Sequence, residues 1–263
     1  MSFFKQFPKI DYDFNREGSI TQMVDIFRSV RPLPTFVDEF SGYKVYEIKD
    51  GERPDIVASR LYKNPKLYWT FFVVNDFLHD GYRSWPMSAS ALHSYIEKEY
   101  KGKAIEMQTT ILNTGTQVDS IAGKFTLGET ITGQTSGATG KLIKKNIDMN
   151  QLIVDGGNFT GNMHEPDGSR EEIVGATSTD RVSTYRVWNY ADAPYYYYNE
   201  FDAEKKPVTN ALHITGGVAS SDLAYQSYRN FEFERNEDRS KIRYVDPNYV
   251  ERFVDKFEDL INV

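Results

Sequence analysis

From Tyr43 the side chains of "YKVYEI" alternate between apolar and polar, which predicts a β-strand. "DGER" then turns the chain into "PDIVASRLY", whose Ile56, Val57 and Leu61 recur at helical spacing. "NPKLYWTFFVVNDF" opens on Asn64 as a helix cap and Pro65 at the first helical position, with Leu67, Tyr68, Phe71, Phe72 and Val74 directed inward. "SASALHSYIEKEY" predicts a further helix, capped by Ser88 or Ser90, that buries Leu92 and Ile96. Upstream, "SITQMVDIFRSV" pairs Ser19 with Gln22 as a capping box and repeats Ile20, Met23, Val24, Phe27 and Val30 at helical intervals, so a helix is expected over 19–30. The prolines of "RPLPTF", Pro32 and Pro34, end it.

Beyond residue 103 the texture changes. Gly, Thr, Ser, Ile and Val dominate and aromatics nearly vanish. "KLIKKNIDMNQLIVDGG" predicts two strands joined at "NIDMNQ". "FTLGETITGQTS", Phe125 to Ser136, is echoed by "FTG…EEIVGATS", Phe159 to Ser178, with an insertion that holds His164 and Pro166. Two such strand–turn units predict a small all-β module, a barrel or a sandwich. Aromatics return in "YRVWNYADAPYYYYNEF", which is expected to be strand. "YRNFEFERNEDRSKIRYV" suggests strand, turn and strand. "DPNYVERFVDKFEDLI" predicts a terminal amphipathic helix capped by Asp246 and started by Pro247, with Tyr249, Val250, Phe253, Val254, Phe257, Leu260 and Ile261 as its apolar stripe.

With 40% of its 263 residues apolar, the chain holds enough hydrophobic material for a packed core. Its 18 Tyr and 17 Phe suit protein contact surfaces, because a ring offers a large area with few rotors. The net charge of −7 argues against general nucleic-acid binding. The absence of cysteine excludes disulfides, thiolate metal sites and cysteine nucleophiles. "MSFFKQFPKIDYDF" has no signal-peptide pattern, and no run reaches the ~18 apolar residues of a membrane span.

The glycine-rich "GETITGQTSGATGKLIKKN" invites comparison with a phosphate-binding loop. That loop needs G-x-x-x-x-G-K-[ST] between a strand and a helix. Here Thr135 stands at the first glycine position and Leu142 at the hydroxyl position, and "KLIKKN" continues as strand. The expectation is that Gly133, Gly137 and Gly140 supply positive φ in tight turns. His79, His93, His164 and His213 form no metal-ligand spacing, and no nucleophile elbow is present, so neither a metal, a cofactor nor an enzyme activity is expected. In "PYYYYNE" alternate rings face opposite sides of a strand, giving two core-facing and two interface rings in preference to a glycan-stacking platform.

"YKVYEIKDGERPDIVASRLYKNPKLYWTFFVVND" resembles a LysM module, and its "NPKLYW" and "ND", followed by "GYRSW" and preceded by "ITQMVDIFRSV", resemble the LysM-like baseplate wedge subunit of contractile-tailed, myovirus-type bacteriophages. "RNEDRSKIRYVDPNYVERFVDKFEDLI" is similar to that family's closing segment. The resemblance covers about 15–103 well and 190–263 more weakly. It implies a structural role in the virion: a tail baseplate subunit, assembled in the host bacterial cytoplasm, that docks on the wedge core and links neighbouring wedges around the hub. It implies other wedge and hub proteins as partners, with no nucleic acid and no membrane. LysM modules elsewhere bind N-acetylglucosamine polymers through loops that match Asp50–Arg53 and the stretch after Asn75, and cell-wall glycan binding is the alternative reading. "DFLHDGYRSWPM" departs from that pattern.

The resulting expectation is an α+β chain in four parts. Residues 1–40 form an N-terminal arm with one helix, 41–103 a LysM-like βαα core, 104–184 an inserted small all-β module, and 185–263 a C-terminal β-hairpin plus amphipathic helix. The candidate partner-binding residues are Phe3, Phe4 and Phe7 in the arm, Asp50, Gly51, Glu52 and Arg53 in the turn, Tyr82 and Trp85 after the helices, and Tyr196 and Tyr198 in the tyrosine run.

Overall fold

The computed structural model describes residues 7–14, 16–25, 42–107, 120–160, 170–208 and 223–262. The chain divides into two units, one of Met1–Ala91 with Glu234–Val263 and one of Leu92–Phe233.

In the first unit, strands β1 (Lys9–Tyr12) and β2 (Thr21–Val24) pair as an antiparallel hairpin. This corrects the helix expected over 19–30, whose residues 26–30 lie outside the described set. The local reason is the turn. The Asp13 carboxylate accepts the backbone N–H of Gly18 at 2.7 Å and of Glu17 at 3.3 Å, which folds the chain back before Ser19 can cap a helix.

Strand β3 (Tyr43–Glu47) leads through the Asp50–Gly51 turn to helix α1 (Pro54–Tyr62), and helix α2 (Trp69–Val74) follows a single 3-10 turn over Pro65–Leu67. The Asn64 side chain accepts from the Lys66 N–H at 3.1 Å, so the expected cap is present on that turn. A strand from the far end of the chain, β13 (Lys241–Val245), pairs antiparallel with β3. Phe71, Leu78, Trp85, Val57, Ala58, Ile48 and Ile242 form the core between this sheet and the helices. The other edge of β13 meets a side chain. Asn75 donates Nδ2–H to the Arg243 carbonyl and accepts the Arg243 N–H on Oδ1, both at 2.8 Å. Helix α5 (Val250–Ile261) packs Phe257 and Ile261 on Phe7 and Trp69. It begins after Asp246 and Pro247, and Tyr249 and Leu260 of the expected stripe are exposed.

The second unit holds a closed antiparallel barrel in the order β4 (Lys103–Met107), β7 (Gln151–Asp155), β6 (Thr139–Asn146), β5 (Thr130–Gly133), β8 (Glu172–Gly175), β9 (Arg181–Asn189). Its filling follows strand alternation: Ile105 and Met107 of β4 and Leu152 and Val154 of β7 point inward to Ile121, Phe125, Ile131, Leu142, Phe159, Ile173 and Val182. Ala104 and Ile153 point outward to Tyr190, Ala193 and Tyr228. A second sheet sets β10 (Pro194–Asn199) between β11 (Pro207–Val208) and β12 (Leu223–Ser227). Helix α3 (Ala89–Glu99) begins in the first unit and buries Leu92 and Ile96, with the Ser88 hydroxyl accepting the Ala91 N–H at 3.3 Å.

Two expectations are overturned here. The chain is built on a closed six-stranded barrel and several smaller sheets, so the α+β reading on a LysM-like βαα core does not hold. "YRNFEFERNEDRS" is helix α4 (Tyr228–Ser240), not strand and turn. Its Phe and Glu alternate over only a few residues. The Ser227 hydroxyl accepts the Asn230 N–H at 3.1 Å and starts a helix that buries Tyr228 and Glu232, one turn apart.

Candidate functional site

The Asp50–Arg53 turn is occupied by bonds within the chain. Asp50 Oδ1 accepts the Ala89 N–H at 2.7 Å. Glu52 Oε2 accepts from the Tyr46 hydroxyl at 2.8 Å and the Lys49 N–H at 3.0 Å, and Oε1 receives the Arg60 guanidinium. Burial opposes ionisation of Glu52, but the Lys49 amide, the Tyr46 hydroxyl and Arg60 outweigh it and hold the carboxyl below the usual carboxylate range. The Glu52 carbonyl accepts the Trp85 indole N–H at 2.7 Å. Arg53 makes a two-bond contact with Asp55, 3.1 Å on each arm. The loop marked for glycan contact thus directs its carboxylates into the fold. Gly51 sits at its apex with φ +70°.

Trp85 is buried, with its ring 6.1 Å from Phe71 and 5.8 Å from Phe72. Tyr82 is 58% exposed, with its ring 5.8 Å from Tyr68 and 5.7 Å from Phe72. In the same unit Ile56 and Phe77 are also exposed, neither of which the sequence marks as a contact residue. Of the expected inward stripe of α1, Val57 is buried as expected and Ile56 is exposed. Phe7 is buried on Trp69, Phe257 and Ile261, so it belongs to the core. Phe3 and Phe4 lie outside the described residues.

Tyr196 and Tyr198 belong to the second unit, on β10. Both are half-buried, their rings 6.2 Å apart, and Lys205 Nζ lies 5.4 Å from the Tyr198 ring centre. The intervening Tyr197 donates its hydroxyl to Glu106 Oε1 at 2.9 Å, while Trp188 Nε1–H donates to Oε2 at 2.9 Å. Burial holds the Glu106 carboxyl above the usual range against these two bonds and the nearby Arg186. Sequence reasoning missed Glu106, because one acid inside "KAIEM" carries no signal until its strand is wrapped into a barrel. The expected turn glycines also divide: Gly137 has φ +67°, whereas Gly133 and Gly140 lie outside the left-handed region. They are glycine for space, since a Cβ on Gly133 would meet the Glu171 carboxylate at 2.2 Å and one on Gly140 the Gly156 carbonyl at 2.9 Å.

Among the described residues no group of three or more His, Asp or Glu side chains is placed to hold a metal ion. What the first unit offers instead is an aromatic rim, Tyr68, Phe72 and Tyr82, backed by buried Trp85. These rings lie within the part of the chain that comparison with known proteins reaches.

Residues 1–112 match the model of the family described as base plate wedge protein 53. Baseplate wedge protein gp53 of Enterobacteria phage T4 is 33% identical over 103 residues, 37% of this chain and 51% of that protein. The chain thus spans about half the length of the curated relative it matches. The family match takes in the β1–β2 hairpin, β3, α1, α2, the aromatic rim and the first barrel strand, and ends before Ile121.

Proposed function

We propose that the chain is a structural component of a phage tail baseplate wedge, located in the virion tail and without catalytic duty. The observation that carries this reading is the match of residues 1–112 to base plate wedge protein 53, supported by the 33% identity to the T4 protein. The chain associates with other baseplate proteins in a multi-subunit assembly. Its finer task is to dock on the wedge core and to link neighbouring wedges around the hub, after assembly in the host cytoplasm. The exposed Tyr82, carried on Tyr68 and Phe72, offers a rigid aromatic anchor of the kind that dominates such contacts. Arg53, Tyr196 and Tyr198 are the further candidate contact residues. Glycan binding is not proposed: the LysM-like core on which it rested is corrected, and Asp50 and Glu52 bond within the fold.

The experiment is co-expression with the other baseplate proteins of the same phage, followed by sedimentation. Co-migration of this chain with a wedge intermediate is the expected result. A wedge that assembles completely without it, leaving it free in solution, would falsify the reading.

A further inference from the structure

The sequence echo in the barrel becomes a set of matched hydrogen bonds when residue n of its first copy is compared with residue n + 42 of its second copy. Gly137 N–H donates to the Gly133 carbonyl and Thr179 N–H to the Gly175 carbonyl, each at 3.0 Å. Gly133 N–H donates to Ala138 O at 2.9 Å, and Gly175 N–H to Asp180 O at 3.0 Å. Gln134 N–H reaches Glu172 O and Ala176 N–H reaches Thr130 O, both at 2.9 Å. Leu142 N–H donates to Glu129 O at 2.9 Å and Thr184 N–H to Glu171 O at 2.8 Å. Strands β5 and β8 pair through Ile131↔Gly175, Thr132↔Val174 and Gly133↔Ile173, a register that maps onto itself under the same shift. A local two-fold axis therefore passes between Thr132 and Val174.

Side chains cross this axis. Glu171 Oε1 accepts the N–H groups of Thr135 at 3.2 Å and Ser136 at 2.6 Å, together with the Ser136 hydroxyl. Its Oε2 accepts the Thr160 N–H at 2.8 Å and faces the Thr160 hydroxyl at 3.5 Å. In return Glu129 Oε2 accepts the N–H groups of Thr177 and Ser178, both at 2.9 Å. Its Oε1 accepts the Ser178 hydroxyl at 2.9 Å and the Thr126 N–H at 2.6 Å. Both carboxylates are buried. Each presses against the glycine that opens the opposite turn: a Cβ on Gly133 would lie 2.2 Å from Glu171 Oε1, and one on Gly175 2.7 Å from Glu129 Oε2. Two successive backbone N–H groups and a hydroxyl converging on one carboxylate form an anion-receiving concavity.

We propose that the barrel is an internal two-fold pair built on one duplicated strand–turn–strand unit, in which each Gly-x-Thr-Ser turn is a carboxylate-binding site filled by the glutamate of the other unit. The two receptors are equivalent, and each takes a small monocarboxylate once its own glutamate is shortened. This is independent of the assembly role, since it concerns how the barrel closes on itself.

The test uses the full chain with Glu129→Ala and Glu171→Ala, and sodium acetate as the probe against sodium chloride at equal ionic strength. In chloride each variant is expected to melt about 5 °C or more below the parent. Acetate is expected to restore both melting points saturably and to leave the parent and a Glu172→Ala control unmoved, because binding to the native state alone stabilises it. No acetate-specific recovery, or recovery in only one variant, overturns the proposal. Should the alanine variants fail to fold, Glu171→Gln is combined with Ser136→Ala and, separately, with Ser178→Ala. Crosswise exchange requires the first pair to be strongly non-additive and the second to add, and the opposite pattern overturns it equally.

Discussion

Asn75 stands in for a strand residue. Its amide pairs with both backbone groups of Arg243, and Nδ2–H also donates to the Phe71 carbonyl at 2.8 Å. Asn75→Ala leaves the part-buried backbone groups of Arg243 and the buried Phe71 carbonyl without these partners, an expected loss of about 3 kcal/mol in a urea titration. Two carboxylates should respond to pH with opposite sign. The folded pKa of Glu52 is lowered, so its contribution is fully present above the unfolded value of about 4.3 and is lost as pH falls through the folded pKa. Glu52→Gln is therefore expected to lower the melting point at neutral pH, with the difference closing in acid. Glu106 has a raised pKa, so the folded state binds its proton more readily and the parent loses stability relative to Glu106→Gln as pH rises through that window. Melting curves of both variants from pH 3.5 to pH 7.5 read the two slopes. Slopes of the same sign would refute the contrast between a carboxylate held by donors and one held by burial.

At the level of elements, the two barrel hairpins share their backbone hydrogen-bond pattern but differ in the residue at the left-handed turn position. Gly137 and Thr179 both occupy the left-handed region, φ +67° and +60°, yet only the first has a residue suited to it. The Thr179 hydroxyl donates to the Ser178 carbonyl at 2.6 Å, which offsets part of the strain. Thr179→Gly is expected to stabilise the protein by about 1 kcal/mol, because the strain relieved exceeds the chain entropy that glycine adds. Equilibrium unfolding measures this directly. Elements were legible in the sequence where neighbouring residues decide them. The strands around "NIDMNQ" appear as β6 and β7, and the Asn64 cap is present, although it closes the 3-10 turn Pro65–Leu67 and the α-helix starts only at Trp69. They were misread where a distant partner or a side-chain cap decides. Residues 21–24 have helical spacing but pair with Lys9–Tyr12, and the alternating "FEFE" yields to the cap at Ser227.

For the molecule as a whole, residues 1–112 match a baseplate wedge family and the barrel extends beyond that match. The aromatic rim of the first unit is the surface to test for assembly. Tyr82 lies outside the buried core, so Tyr82→Ala is expected to change folding stability by no more than about 1 kcal/mol. The same change is expected to weaken association with a wedge partner by about tenfold or more, as loss of an exposed aromatic anchor does at an interface centre. Sedimentation of the variant beside the parent, with a melting curve of each, separates the two effects. Equal association would remove Tyr82 from the contact surface.

Residue order alone was enough for the family resemblance of the N-terminal part, the β character of the glycine-rich stretch and the rejection of a phosphate loop. Each rests on residue types at short spacing, which a linear reading can weigh. Folding in three dimensions was needed to pair β3 with β13, to close the barrel with β4 beside β9, and to set Glu129 and Glu171 each in the other's turn. Those outcomes depend on which distant groups meet in a buried place, where an unpaired N–H or carboxylate is costly enough to fix the partner. The glycines read first as positive-φ turn residues show the difference: Gly133 is needed for the room it leaves a carboxylate from the other copy of the repeat.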